Sequence, residues 1–262
     1  MEHEVLHPLG VRVTGLQVGA LGTAEVDALR VLLAEHGVVV LPDQQADDDA
    51  FVAFLRSFGP IVFTRGETPL PGHPDLNEVS NVGRTTPPRS VFHVDSSYLR
   101  QPPAYTALRA VDIPASGGET LFTDQYRAYD TLPEELRTRL AGRSVRHVVT
   151  GVDVGPGGET EAEHPVVRRH PVTGRTALYL STPERCVSVS GLDEQDGREV
   201  VRRLYAHSTD EAHVLRHRWC PGDVVMWDNG CVLHRADHAG VVGDRVMHRG
   251  MVAGYPSAPA GV

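Results

Sequence analysis

Hydrophobic spacing near the N-terminus predicts two helices separated by a buried strand. Apolar residues recur at helical intervals in a segment that begins at Thr23, a plausible N-cap, and ends at His36, just before Gly37. The continuous apolar run Val38–Leu41 stops at a proline, which is typical of a buried strand. A second helix is predicted after the acidic cluster Asp47–Asp49, because carboxylates favour a helix N-terminus, and a Gly-Pro pair ends it.

Beyond residue 90 the pattern becomes mainly β. Residues 64–90 are rich in Gly and Pro and predict a loop with one short strand at Glu78–Val82. Helices are predicted over 133–140 and 192–207, and the acidic, Gly-rich segment 151–163 is interpreted as a mobile lid. The short strands expected in this region are Val91–Asp95, Tyr105–Val111, Thr120–Phe122, Ser144–Val149, Val166–His170 and Ala177–Ser181.

The C-terminal part reads as a strand meander over 214–219, 224–228, 231–236 and 245–253. Asn229-Gly230 stands between two apolar runs and predicts a hairpin turn. Many short strands joined by turns indicate a β-sandwich or barrel with flanking helices. We expect one domain over residues 1–262.

Composition and charge narrow the function classes. With 262 residues, 40% hydrophobic and 23% charged, the chain has the profile of a globular protein. A net charge of -9 without an arginine block argues against nucleic-acid binding, and the absence of Lys excludes Schiff-base chemistry. Three cysteines without C-x-x-C spacing disfavour a disulfide framework or a cysteine zinc site. Neither a signal peptide nor a membrane-spanning stretch is seen, so a soluble, cytoplasmic protein without membrane partners is expected.

A metal site is suggested by His93 and Asp95, which lie two residues apart in VFHVDSSY. On a strand, side chains at this spacing share a face and can share a metal. His234, in CVLHRA, is the candidate third ligand, and two histidines with one carboxylate are typical of non-haem iron(II) oxygenases. A second H-x-D motif occupies residues 73–75, but its central proline and its surroundings favour a loop.

Two arginines in the last predicted strand indicate an anionic ligand. Arg245 and Arg249 share one strand face with Met247 and Met251. An unpaired guanidinium is costly to bury, so an inward face would call for an anion such as a dicarboxylate near the metal. The alternative is an exposed edge strand with solvated arginines.

Longer matches identify a family resemblance. The chain resembles the TauD/TfdA family of 2-oxoglutarate-dependent dioxygenases over nearly its whole length. The matching segments are HPLGVRVTGL, HGVVVLPDQQ, AFLRSFGPI, FHVDSSYLRQPPAYTALRAVDIPASGGETLF, HPVVRRHPVTGRTALYLS, RWCPGDVVMWDNGCVLHRA and DRVMHRG. The resemblance implies a double-stranded β-helix, the cupin-like jelly roll. It also implies Fe(II), 2-oxoglutarate and O2 as cofactor and cosubstrates.

The resemblance assigns roles to individual residues. It implies that the Fe(II) ligands are His93, Asp95 and His234. Thr120 and Arg245 match the residues that hold 2-oxoglutarate. Arg249 matches a second arginine that serves the cosubstrate and faces the substrate's acidic group.

Departures from the family pattern bear on the substrate. Arg89 stands where taurine-oxidising members have Asn, and Phe92 replaces a Trp, so taurine itself is not expected. Further arginines, Arg65 and Arg84, lie in or beside the loop expected over the site. We predict a small-molecule acidic substrate such as an amino acid, sulfonate, phosphonate or carboxylate. The residues predicted to bind it are Arg249, Arg89, Ser96 and Tyr98, whereas Trp219, Trp227 and Tyr179 are assigned to the core.

The expected reaction is oxidation, chiefly hydroxylation, of an unactivated C–H bond with release of succinate and CO2. Because Asp95 occupies a ligand position, halogenation is not expected. The alternatives are desaturation, cyclisation or C–S/C–P cleavage by the same cofactors, a non-catalytic metal-binding jelly roll, or a zinc hydrolase on the same ligands. The sequence leaves the question of a homo-oligomer open.

Overall fold

Strands dominate the fold, which the computed structural model describes over residues 1–84 and 90–254. The strands are β1 (Glu2–Val5), β2 (Val11–Thr14), β3 (Val38–Leu41), β4 (Ile61–Val62), β5 (Pro69–Leu70), β6 (His73–Ser80), β7 (Tyr105–Asp112), β8 (Thr120–Asp124), β9 (Ser144–Val148), β10 (Glu161–Pro165), β11 (Val167–Arg169), β12 (Thr176–Leu178), β13 (Cys186–Val189), β14 (Val214–His217), β15 (Val224–Asp228), β16 (Val232–Ala236) and β17 (Val246–Val252). The helices are α1 (Thr23–His36), α2 (Asp48–Phe58), α3 (Gln125–Asp130), α4 (Glu134–Leu140) and α5 (Glu194–Ser208). The prediction of a mainly β protein with flanking helices is confirmed.

Two sheets pack face to face as a jelly roll. The large sheet has the order β1-β2-β3-β15-β7-β17-β6-β5, with β4 also paired to β17, and the small sheet has the order β14-β8-β16. The core between them joins Val40 and Leu108 of the large sheet to Phe122 and Val232 of the small one. Two further small sheets, β10-β9-β13 and β11-β12, pack with α4 and α5 at one side.

The predicted hairpin and meander at the C-terminal end are wrong. Asn229 and Gly230 do form a turn, but β15 pairs with β3 and β7 whereas β16 pairs with β8. Because both edges of β15 are already paired inside the large sheet, the chain must leave that sheet after Asp228. Consecutive strands from β14 to β17 therefore alternate between the two sheets.

The first two helices cover the outer face of the large sheet and mostly follow their predictions. Helix α1 spans Thr23–His36 as expected, but its N-cap is Gly22, whose N–H donates to the Glu25 carboxylate at 2.6 Å. Gly37 ends the helix at φ +77°, where an added Cβ would lie 2.7 Å from Val232, so glycine suits both the conformation and the space. The Asp47 side chain caps α2.

Several predicted boundaries were wrong. Strand β6 begins at His73, so the H-x-D motif at 73–75 lies in a strand rather than a loop. Its proline is tolerated because the pairing between β5 and β6 is irregular there. The end of the predicted lid forms β10, and α3, β10 and β13 were not predicted. Within residues 1–84 and 90–254, no helix combines the length and apolarity needed to cross a membrane.

Candidate metal centre

His93 and His234 meet across an isolated antiparallel bridge. The backbone N–H of each residue donates to the carbonyl of the other at 3.0 Å. The expected strand Val91–Asp95 is wrong, because this bridge is the only pairing the segment makes within the described part of the chain and the residues after Asp95 turn away. One bridge is nevertheless enough to bring His93 and Asp95 beside β16.

The three predicted ligand side chains converge. Nε2 of His93 lies 3.6 Å from Oδ1 of Asp95, and Nε2 of His234 lies 3.6 Å from Oδ2. One ligand atom from each residue can be chosen so that all lie within 4.8 Å of one another. The 3.6 Å separations are too long for hydrogen bonds, whereas a metal ion about 2.1 Å from a nitrogen and an oxygen could bridge them. The donor set therefore fits a mononuclear metal with open coordination positions.

The supports of this cluster come from the large sheet. The Thr106 hydroxyl donates to Oδ2 of Asp95 at 2.8 Å and accepts from the Asn229 side chain at 2.9 Å. The Trp227 indole N–H in turn donates to Asn229 at 3.2 Å.

Nδ1 of His93 lies 2.9 Å from the Val91 carbonyl, which favours a proton on Nδ1 and a free lone pair on Nε2.

Burial sets the protonation of the ligands. It lowers the pKa of His234 to about 3, so its imidazole is neutral and can bind a metal. Burial alone would raise the pKa of Asp95, but the nearby imidazoles of His234 and His93 and the Arg249 guanidinium hold that pKa well below its usual value. The carboxylate is therefore ionised.

Arg245 is a buried guanidinium beside Thr120. Its exposed fraction is 1%, and it donates to the Gly118 carbonyl at 2.8 Å and to Thr120 Oγ1 at 3.2 Å. Among the described residues no carboxylate forms an ion pair with it, and burial lowers its pKa to about 10. Thr120 also accepts from the Trp219 indole at 3.0 Å, which leaves its own O–H as a donor. This pair suits an anion that is missing from the protein itself.

Thr120 and His234 belong to the same face of the small sheet. Thr120 of β8 lies opposite Ala236 of β16, and His234 lies opposite Phe122. Directly opposed residues of an antiparallel pair share a face, so the two side chains are separated by two residues, roughly 7 Å along the strand. The Thr120–Arg245 pair and the cluster of His93, Asp95 and His234 are thus neighbours.

Arg249 is held in an interior strand rather than on the exposed edge that the alternative reading required. Strand β17 lies between β7 and β6. The guanidinium donates to Asn77 at 3.0 Å, contacts Oδ1 of Asp95 at 3.5 Å and pairs with Glu67. Burial would lower the pKa of Arg249, but the Asp95 and Glu67 carboxylates raise it.

The other predicted substrate residues differ in position. Ser96 is buried at φ +45° and its hydroxyl lies 3.1 Å from that of Thr64. Tyr98 is buried, and burial raises its pKa. Arg65 is exposed. Arg84 is also exposed, and Arg89 lies outside the described residues.

The second H-x-D motif does not contribute to the cluster. His73 lies 3.8 Å from Asp49, and Asp75 pairs with Arg56 at 2.7 Å, both on α2. His73 and Asp75 are therefore engaged by α2 and not by the His93–Asp95–His234 cluster, and the expected loop was wrong.

Residues missed by the sequence reasoning are Thr106, Asn77 and Glu67, and Asn229 was assigned only to a turn. None belongs to a recognisable motif, and their contacts cross long stretches of chain. Trp219 was assigned to the core; it is buried, and it also donates to Thr120.

Comparison with known proteins gives the family. The family model "Taurine catabolism dioxygenase TauD, TfdA family" matches residues 2–251. The alpha-ketoglutarate-dependent 2,4-dichlorophenoxyacetate dioxygenase of Cupriavidus pinatubonensis is 33% identical over 274 residues, covering 93% of this chain and 94% of that protein. Pentalenolactone F synthase of Streptomyces arenae is 34% identical and covers 87% of this chain and 86% of its own.

A solved structure agrees with these relatives. AAD-2, in complex with Mn(II) and N-oxalylglycine, matches with a TM-score of 0.85 at 27% identity, covering 98% of this chain and 99% of that one. The chain therefore belongs to the TauD/TfdA family and is a non-haem dioxygenase that uses Fe(II), 2-oxoglutarate and O2.

Proposed function

We propose that the chain, acting as a single TauD/TfdA-like domain, hydroxylates an unactivated C–H bond of a small acidic metabolite. In this proposal His93, Asp95 and His234 bind Fe(II). Arg245 and Thr120 hold the distal carboxylate of 2-oxoglutarate, and Arg249 receives the acidic group of the substrate. Succinate and CO2 are the coproducts.

The observation that carries the proposal is that the Arg245 guanidinium is buried without a carboxylate partner among the described residues. A cation that is 1% exposed and contacts only neutral acceptors among the described residues is costly unless an anion completes its shell. A dicarboxylate reaching from the metal cluster would supply that anion and accept the Thr120 O–H as well.

The protein's share of the chemistry is binding, orientation and charge. Bound Fe(II) supplies O2 activation together with the oxo acid. Thr106 and Arg249 fix the Asp95 carboxylate from two sides, and the depressed pKa of His234 keeps its nitrogen available. Trp219 lies beside Arg245, with its ring centroid 6.0 Å from the guanidinium carbon. In this position the indole helps to exclude water from the guanidinium.

The acidic substrate class rests on Arg249 and on the chemistry of relatives. Arg249 touches Asp95 and its side chain remains 13% exposed, so it can reach a molecule placed beside the metal. One relative is named for the carboxylate 2,4-dichlorophenoxyacetate, and another for the lactone pentalenolactone F. Arg89, Ser96 and Tyr98 remain candidate contacts.

The test is succinate formation from 2-oxoglutarate in the presence of Fe(II), ascorbate and O2. A panel of carboxylates, sulfonates, phosphonates and amino acids is screened for compounds that accelerate it. We expect His93→Ala to abolish turnover and His73→Ala, which alters the other H-x-D motif, to retain it. Equal turnover in the two variants would contradict the ligand assignment.

The same assay separates the alternatives. Mass analysis of the product distinguishes a gain of one oxygen from desaturation, cyclisation or bond cleavage.

A further inference from the structure

Each of the three guanidinium nitrogens of Arg249 already contacts an acceptor of the protein. Nε donates to Asn77, its cross-strand partner on β6, at 3.0 Å, and Nη1 faces Oδ1 of Asp95 at 3.5 Å. Nη2 pairs with the Glu67 carboxylate. Two of its five N–H donors are left, one on each Nη, and both of these atoms already face a carboxylate, so a substrate's acidic group that binds there competes with Asp95 or Glu67.

Glu67 is the partner that can leave. The Asp95 side chain is 5% exposed and belongs to the metal cluster, whereas that of Glu67 is 23% exposed. Asn77 is buried within β6. Glu67 closes a tight turn, in which its backbone N–H donates to the Thr64 carbonyl at 3.3 Å. Because Glu67 lies in this turn and not in a strand, its side chain can move without breaking a strand pairing.

The turn that carries Glu67 is fixed over the cluster. The Thr64 hydroxyl lies 3.1 Å from that of Ser96, the residue that follows Asp95. Gly66 has φ +86°, and an added Cβ would lie 2.3 Å from the Asp153 carbonyl. Two loops thus meet at the turn that carries Glu67, and of the two carboxylates on Arg249 the glutamate is the more exposed.

Charge makes simultaneous binding unfavourable. Arg249 carries one positive charge and already contacts two carboxylates, Asp95 and Glu67. A substrate carboxylate placed beside Glu67 would be repelled by it, because like charges at contact distance in a partly buried site interact strongly. A metal ion held by Asp95 would offset the charge of Asp95 but not that of Glu67.

We propose that Glu67 determines substrate selectivity: its carboxylate occupies Arg249 in place of the substrate's acidic group, and an acidic substrate binds by displacing it. The inference rests on the proposed acidic substrate and adds a competitor for it within the chain. Neutral compounds of the same shape leave the Arg249–Glu67 pair intact.

The test compares wild type with Glu67→Gln by isothermal titration calorimetry, with Mn(II) and N-oxalylglycine bound to prevent turnover. The probes are 2,4-dichlorophenoxyacetate, its neutral amide and taurine. Removing the competing carboxylate should tighten binding of both acids about tenfold, the size of one charge-assisted hydrogen bond, and leave the amide unchanged. The matched control is Glu159→Gln, which removes another loop carboxylate paired with an arginine, Arg100, at 3.3 Å; its acid affinities should equal those of wild type.

Arg249→Gln distinguishes the two levels of the proposal. If it weakens acid binding while Glu67→Gln changes nothing, the displacement idea is overturned and the acidic substrate class stands. If Glu67→Gln weakens taurine alone, Glu67 binds an amino group instead, which also overturns the idea. If no protein binds either acid and Arg249→Gln has no effect, both the acidic class and the inference fail.

Discussion

The hydroxyl of Thr106 donates a 2.8 Å hydrogen bond to Oδ2 of Asp95, and Thr106 is itself held by Asn229. This bond fixes the carboxylate that faces both histidines. Thr106→Val keeps the shape of the side chain and removes the donor. We expect Fe(II) affinity to fall at least about tenfold, as is usual when a partner of a metal ligand is lost, which competition with a chelator would measure.

The control for that variant is Thr123→Val. Thr123 is also fully buried, but its hydroxyl accepts from Gln125 at 2.6 Å, away from the metal cluster. It should lose stability without losing metal affinity. Equal loss of affinity in the two variants would show that packing rather than the Asp95 contact is responsible.

Replacing Arg245 should weaken binding of 2-oxoglutarate without lowering the stability of the ligand-free protein. Arg245→Gln is expected to raise the KM for 2-oxoglutarate roughly 30-fold, equivalent to about 2 kcal/mol for lost charge-assisted hydrogen bonds. The ligand-free variant should melt no lower than wild type, because an uncompensated buried charge has been removed. In contrast, Arg109→Gln breaks the 2.6 Å pair between Arg109 of β7 and Asp48 of α2, and it should lower the melting temperature while leaving the KM unchanged. An unchanged KM in Arg245→Gln would contradict the assigned role.

Two buried histidines should make the fold acid-sensitive. Burial lowers the pKa of His147 well below its model-peptide value of 6.5, and it also lowers that of His164. Below pH 6.5 these two histidines become protonated in the unfolded chain but stay neutral in the folded chain. Stability is therefore full above this pH and falls by up to about 1.4 kcal/mol per pH unit for each histidine as pH decreases.

Denaturant melts of His147→Asn between pH 7.5 and pH 5 would check this. The variant should lose one histidine's share of the slope, about 1.4 kcal/mol per pH unit, whatever its stability at neutral pH. Replacing the exposed His3 with Asn serves as the control and should keep the wild-type slope. A His147→Asn slope equal to wild type would rule out the buried imidazole as the cause.

Gly66 and Gly72 offer a matched pair of substitutions. Both have positive φ, +86° and +83°, but only Gly66 would clash, since nothing lies within 4 Å of a Cβ at Gly72. Both alanine variants should lose about 1 kcal/mol from backbone strain. Only Gly66→Ala should speed hydrogen–deuterium exchange in both 61–68 and 150–158, because the two loops must separate. Faster exchange in Gly72→Ala as well would argue against a specific contact.

The parts of the fold that were predictable are those determined by local pattern. Helix α1 and strands β3 and β15 follow directly from apolar spacing. The convergence of His93, Asp95 and His234 was predictable from a two-residue motif, supported by long matches to a family. The hairpin predicted at Asn229-Gly230 was wrong, because turn chemistry is local whereas strand pairing depends on the whole sheet. Both edges of β15 are already paired, one with β3 and the other with β7.

Long-range contacts account for what sequence reasoning missed. The Glu67–Arg249 pair joins residues 182 positions apart, and neither residue's neighbours indicate the other. Thr106 looks like any residue of an apolar strand until Asp95 is seen beside it. In the same way, the His93 segment was predicted as a strand, although one bridge to His234 gives the needed geometry.

The alternation of the last strands between sheets has a mechanical consequence. His234 belongs to the small sheet, whereas the Asp95 carboxylate is contacted by Thr106 and Arg249 of the large sheet. An ion shared by His234 and Asp95 would therefore cross-link the two halves of the sandwich. Its occupancy would oppose their separation and couple the global melting of the protein to the free metal concentration.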